Sequence, residues 1–253
     1  MSPAPGPARV VLVHGAWHRG GSWAPVVAAL AERGIAAVAP DLPSDVAGTG
    51  HDELVAAVVA AADGAGPVVL AGHSLGGLVA PVAAAALGER VRSLVLVGAL
   101  VPEPGRPYRD RMRAERDLMV AGYDAGVRRG EGVTTYWPDA ATVADGLYRG
   151  VAEELDAAGS GAAGSGGAGA VATAAAELRP QDWSLLAEPC PLTSWPGVPT
   201  VSVVCTGDRV VDPDAGRREA ARVGARVADL AGGHFPMLTR PDELAGLITG
   251  EAR

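Results

Sequence analysis

Ten consecutive residues, Val68-Val69-Leu70-Ala71-Gly72-His73-Ser74-Leu75-Gly76-Gly77, constrain this chain more than any other stretch. Val68 to Ala71 are apolar or small with no polar alternation, the pattern of a parallel strand covered on both faces. Gly72-x-Ser74-x-Gly76 follows at once, and Leu78-Val79-Ala80 opens an Ala-rich run that reads as helix. A serine on so sharp a strand-to-helix turn is strained, and its Oγ projects above the sheet edge as a nucleophile. Gly72 and Gly76 are needed because a Cβ there would collide with the neighbouring strand or helix. The plainer alternative makes Ser74 an ordinary helix N-cap.

Around this stretch the chain alternates strand and helix. Arg9 to Val13 reads as a buried strand ending in His14-Gly15-Ala16-Trp17-His18, and Trp23 to Arg33 as a helix stopped by Gly34. Strand Ile35 to Pro40, helix Asp52 to Ala62 and strand Val91 to Val97 continue the rhythm. It resumes with strand Val198 to Cys205, helix Pro213 to Val223, strand Ala225 to Leu230 and helix Pro241 to Thr249. Such alternation demands a parallel sheet with right-handed crossovers, an α/β fold with a doubly wound sheet.

Between Val101 and about Pro196 no strand is read. A stretch of that length is more than a loop. It reads as a helical cap over the C-terminal strand ends, where ligands bind in open α/β sheets. The expected division is a core of 1–100 and 197–253 with a cap of 101–196. Within the cap, Arg106, Arg109, Arg111, Arg113 and Arg116 are interleaved with Asp110, Glu115 and Asp117. That mixture favours a solvated helix face over a grip on an anionic substrate. Residues 157–176 are nearly all Ala, Gly, Ser and Thr, and read as a mobile stretch whose later part can be helical.

Composition removes whole classes of chemistry. All 21 basic residues are Arg, so no lysine is available as Schiff-base former, phosphate-loop residue or general base. A net charge of −8 argues against nucleic acid or an anionic membrane as partner. Two cysteines provide neither a disulfide framework nor a metal cluster. No run of about 18 apolar residues exists to span a membrane, and Met1 to Arg9 holds no signal-peptide core. The expectation is a cytoplasmic protein without cofactor or metal, monomeric or homodimeric, with a small apolar molecule as its partner.

A serine hydroxyl needs a base to take its proton, and the base needs an acid to fix its tautomer. Enzymes with this turn carry them in the order Ser, acid, His. Of the histidines at 14, 18, 51, 73 and 234, only His234 follows Ser74. It stands directly after the last strand; His73 reads as structural. Asp208, just past the penultimate strand, is favoured as the acid, with Asp212 and Glu103 as alternatives. Two N–H donors must face the developing oxyanion. Leu75, after the nucleophile, and Ala16, in the first strand's loop, are the candidates.

These residues resemble the α/β-hydrolase superfamily, in particular the branch of plant methylesterases, hydroxynitrile lyases and their bacterial homologues. The resemblance rests on Val11-Leu12-Val13-His14-Gly15-Ala16-Trp17-His18, Pro40-Asp41-Leu42-Pro43, the Ser74 turn, Asp208, and Gly233-His234-Phe235-Pro236-Met237-Leu238 with Arg240-Pro241. It implies a six-stranded core, a Ser74–His234–Asp208 triad, and an oxyanion hole from Ala16 and Leu75. Trp17, His18 and Phe235 become candidate substrate-binding residues. The lyases of the branch place a lysine immediately after the triad histidine and a threonine at the position of Gly15; this chain has Phe235 and Gly15. The esterase pattern fits: hydrolysis of a small or medium apolar ester, lactone or thioester through acyl-Ser74. A cyclase or acyltransferase using the same triad, or a receptor with a vestigial one, are the alternatives.

Overall fold

The computed structural model describes residues 8–159 and 166–252. Six strands form one parallel sheet: β1 (Arg9–Val13), β2 (Ala37–Val38), β3 (Val68–His73), β4 (Val91–Val97), and, after a long excursion, β8 (Thr200–Cys205) and β9 (Arg226–Leu230). Their order is β2-β1-β3-β4-β8-β9. Every residue of β3 and β8 is buried, as befits central strands covered on both faces. The sheet lies between two layers of helices. Helix α3 (Gly76–Leu87) packs on β3 and β4 beside α2 (His51–Ala61). The C-terminal α10 (Pro241–Ala252) packs against the same two strands beside α1 (Ala24–Glu32). Strand β2 is shorter than its sequence suggests, because Ile35, Ala36 and Ala39 lie outside the pairing.

The chain leaves the sheet after β4 and returns at β8. In between lie α4 (Tyr108–Ala114), β5 (Arg128–Arg129), β6 (Thr134–Tyr136), α5 (Ala140–Asp145), α6 (Val151–Ala157), α7 (Gly166–Ala176) and β7 (Gln181–Asp182). The expectation of a strandless insertion is corrected here. β5, β6 and β7 pair as a small antiparallel sheet of two- and three-residue strands. Runs that short carry no readable alternation.

Residues 157–176 read in sequence as a mobile stretch whose later part can be helical. Residues 160–165 lie outside the described residues, but 166–176 form helix α7 packed on α6. Gly167 faces the Ala152 carbonyl so closely that a Cβ would run into it. The glycine serves close packing rather than looseness. Gly167→Val is therefore expected to cost about 1–3 kcal/mol by overpacking. At about 2–4 °C per kcal/mol for a chain of this size, thermal unfolding should show a Tm lower by about 2–12 °C.

The arginine cluster also divides. Arg106 pairs with Glu103 and Arg113 with Asp110 on the surface, as a solvated face would. Arg111 instead is buried, in bidentate contact with Glu219 (2.7 and 2.8 Å) on α8 (Pro213–Arg222), with further bonds to Glu115 and the Val101 carbonyl. Burial raises the Glu219 pKa, but the bonds from Arg111 and Arg222 outweigh it and hold the carboxyl below its ordinary range. This pair ties α4 of the insertion to the core. Removing one partner of such a buried pair costs about 3–5 kcal/mol, since the other is left uncompensated.

Cys190, in the insertion, and Cys205, at the end of β8, are free and buried, and burial raises both thiol pKa values. No helix among the described residues is long and apolar enough to cross a membrane.

Candidate active site

The turn after β3 carries the expected strain. Ser74 has φ 51°, and it and Trp17 (φ 64°) are the two non-glycine residues with positive φ among the described residues. Such a conformation costs about 1–3 kcal/mol and persists only where the surroundings over-determine it. At Ser74 the surroundings are tight: a Cβ on Gly76 would lie 2.5 Å from the Val13 carbonyl oxygen, and one on Gly72 2.7 Å from that of Gly76. The Ser74 amide donates to Val97 of β4, and its carbonyl accepts from Gly77 and Leu100.

His234 follows β9, in the loop before α9 (Pro236–Thr239). Its Nδ1–H donates to Asp208 Oδ2 at 2.7 Å, and both side chains are almost fully buried. Asp208 Oδ1 accepts the backbone N–H groups of Val210 and Val211 at 2.8 and 2.9 Å. The carboxylate is thus held on three sides. Gly98 completes the fit, since a Cβ there would stand 3.0 Å from Asp208 Oδ2 and 3.2 Å from His234 Nδ1. The two alternative acids lie elsewhere. Asp212 caps α8 by accepting the Ala215 N–H, and Glu103 pairs with Arg106.

Ser74, Leu75, Ala16, Trp17, His18, His234 and Phe235 line one cavity. Met112, Met119, Tyr123, Leu147, Trp183 and Leu186 of the insertion close its other side. The space between them is narrow, about 30 Å³, and among the described residues no Arg lines it. Among the described residues no hydrogen bond joins Ser74 Oγ to His234. Nor is the N–H of Ala16 or of Leu75 taken by another protein group among those residues, whereas the Trp17 N–H is bound by Gln181.

Three further histidines surround the site and are neutral at pH 7. Burial lowers His14 to about 4, His18 to about 3, and His73 well below the usual imidazole value. Their tautomers follow from their partners, because a carbonyl only accepts. His14 donates from Nδ1 to the Gly15 carbonyl and accepts the Leu42 N–H at Nε2. His18 donates from Nδ1 to the Ala16 carbonyl (2.7 Å) and faces the Tyr148 hydroxyl with Nε2 (2.8 Å). His73 donates from Nε2 to the His234 carbonyl (2.8 Å), tying the serine turn to the histidine loop. Phe235 is buried edge-on against His234 and Tyr148.

Residues 10–247 match the model of the alpha/beta hydrolase family. The chain belongs to that family. Lipase LipV of Mycobacterium tuberculosis is 38% identical over 150 residues, which is 53% of this chain and 53% of that protein, so the match spans about half of each. The solved pyrethroid hydrolase of Sphingobium faniae has a TM-score of 0.75 at 21% identity over 97% of both chains. Polyneuridine aldehyde esterase has a TM-score of 0.76 at 16% identity, covering 98% of this chain and all of that one. A methylesterase from Arabidopsis has a TM-score of 0.73 at 17% identity over 95% and 97%. At these identities the structural likeness speaks for the fold.

In this alpha/beta hydrolase the site also includes residues that no motif announced. Tyr148, Gln181 and Trp183 come from the insertion, where spacing carries no signal. Arg179 does too: it donates to the carbonyls of His18 and Leu42 and pairs with Asp45, holding the first-strand loop from outside.

Proposed function

We propose that this protein is a serine hydrolase acting on small or medium apolar carboxylic esters, lactones or thioesters. One observation carries the reading. A strained serine shares an apolar cavity with a histidine whose Nδ1–H is bound to a buried aspartate. His234, held in the tautomer with Nε2 unprotonated, takes the Ser74 proton as Oγ attacks the carbonyl carbon. The oxyanion forms between the N–H groups of Ala16 and Leu75. Collapse breaks the bond to the leaving group, which receives the proton from His234, and leaves acyl-Ser74. Water then repeats the sequence and releases the acid.

Two features support an uncharged, apolar substrate. The cavity wall has no Arg to pair with a carboxylate, and Met112, Met119, Leu147 and Leu186 favour hydrocarbon. Phe235 sits where the lyases of the resembling branch carry a lysine, which leaves a cyanide leaving group without a cation. In this reading 101–196 acts as a cap whose side chains narrow the site around Ser74.

Incubation with a fluorophosphonate, followed by a panel of p-nitrophenyl esters from acetate to decanoate, tests the proposal. Stoichiometric labelling of Ser74 and a burst of nitrophenol are expected, with kcat/KM highest for short and medium chains. Absence of both label and burst would favour a receptor with an idle triad. Label without net hydrolysis, relieved by an added alcohol or amine, would favour acyl transfer.

A further inference from the structure

The loop that carries His234 is held by three parts of the molecule. Gly207, in the Asp208 loop, donates to the Gly232 carbonyl at 2.9 Å. His73 donates to the His234 carbonyl. The third hold comes from the insertion: Glu154 of α6 accepts the Gly233 N–H at Oε1, 2.8 Å away. Its approach depends on the paired glycines. A Cβ on Gly233 would stand 2.9 Å from Oε1, and one on Gly232, where φ is +102°, 2.6 Å from Oε2. Oε2 is buried with no hydrogen-bond partner among the described residues, and so is Nε of Arg240, which lies 3.0 Å from that same Gly232 point. Glu154 is half-buried, and a carboxylate oxygen left buried without a partner is costly and calls for an explanation.

We propose that Glu154 is a positioning residue, which sets the His234 loop from the insertion and so makes turnover depend on how α6 is seated. The contact falls on the Gly232–Gly233 peptide, one residue before His234, and the carbonyl of that peptide is the one that accepts from Gly207. A small displacement of that peptide tilts the imidazole relative to Ser74 and Asp208, and misplacement by about 1 Å can cost on the order of 10²-fold in rate. Substrate binding is unaffected, because Glu154 does not line the cavity.

The inference rests on the serine-hydrolase reading. Its test compares Glu154→Ala, Glu154→Gln and Glu154→Met, with kcat expressed per active site titrated by fluorophosphonate. Glu154→Ala and Glu154→Met, which lack an acceptor, should lower kcat by about 10–100-fold with KM within about threefold. Glu154→Gln retains an acceptor oxygen and should stay within about threefold of wild type. Equal losses in all three, or none, would overturn the proposal. So would a merely structural outcome, in which Ala and Met lower Tm and the number of titratable sites while kcat per site is unchanged. Failure of both to fold beside a folded Gln variant counts the same way. Ser74→Ala, run in parallel, separates the two readings. If it remains active, the serine-hydrolase reading falls; if it is silent while Glu154→Ala is fully active, only the role of Glu154 falls.

Discussion

Ser74→Ala and His234→Ala should each reduce kcat on an activated ester by several orders of magnitude, to similar residual rates. Members of a triad act as a unit: in subtilisin, removing serine or histidine costs on the order of 10⁶, and removing both costs little more. The geometry supports the same behaviour here. Without His234 nothing else in the cavity can accept the serine proton, since burial lowers the basicity of His18 and His73 and both nitrogens of His18 face partners. Without Ser74 the histidine has only water to activate. A Ser74→Ala/His234→Ala double variant is therefore expected to match either single. Steady-state kinetics on p-nitrophenyl acetate decides it; losses that simply add would mean that the two residues serve separate steps.

Asp208→Asn is expected to lower kcat by about 10⁴, the size of the effect of the same substitution in trypsin. The surroundings dictate how the new amide must lie. The oxygen that accepts from Val210 and Val211 has to remain an oxygen, because two backbone N–H groups point at it. The NH₂ is then forced toward His234 Nδ1, where the carboxylate now accepts. Donor meets donor unless the imidazole moves its proton to Nε2, and that tautomer cannot take the serine proton. Asp212→Asn keeps a competent cap and should leave kcat within a few-fold. Glu103→Gln loses a surface pair with Arg106 and should do likewise. Measured on one ester, a crippled Asp212 or Glu103 variant beside an active Asp208→Asn would reassign the acid.

Much of the sheet was legible because parallel central strands are buried on both faces and appear as Val and Leu runs, as Val68–Leu70 of β3 and Leu94–Val97 of β4 do. The strained turn was legible for a different reason. Close backbone approach restricts Gly72 and Gly76 to glycine, and that restriction is visible as a pattern. Neither kind of signal exists in the insertion. Strands β5, β6 and β7 are too short to alternate. The burial of Arg111 depends on Glu219, a residue 108 positions away that no local rule connects to it. Gly167 shows the ambiguity most plainly. A glycine in an Ala-rich run reads as looseness, yet here it lets two helices touch. Tyr148 and Glu154 approach the loops around Ala16 and His234 only because the intervening chain folds back, a fact of tertiary structure alone.

The two buried thiols divide between the two parts of the molecule, Cys190 in the insertion and Cys205 where β8 runs into the Asp208 loop. A thiol reacts as its thiolate, and neither side chain meets solvent in the folded state. Exchange with a disulfide reagent therefore proceeds through local opening, and its rate reports the free energy of that opening. With no lysine in the chain, amine-directed side reactions are confined to the terminus. The protein thus carries its own pair of stability gauges. One reads the opening of the insertion around Cys190 and the other the opening of the strand that leads into Asp208, and Cys190→Ser or Cys205→Ala isolates either signal.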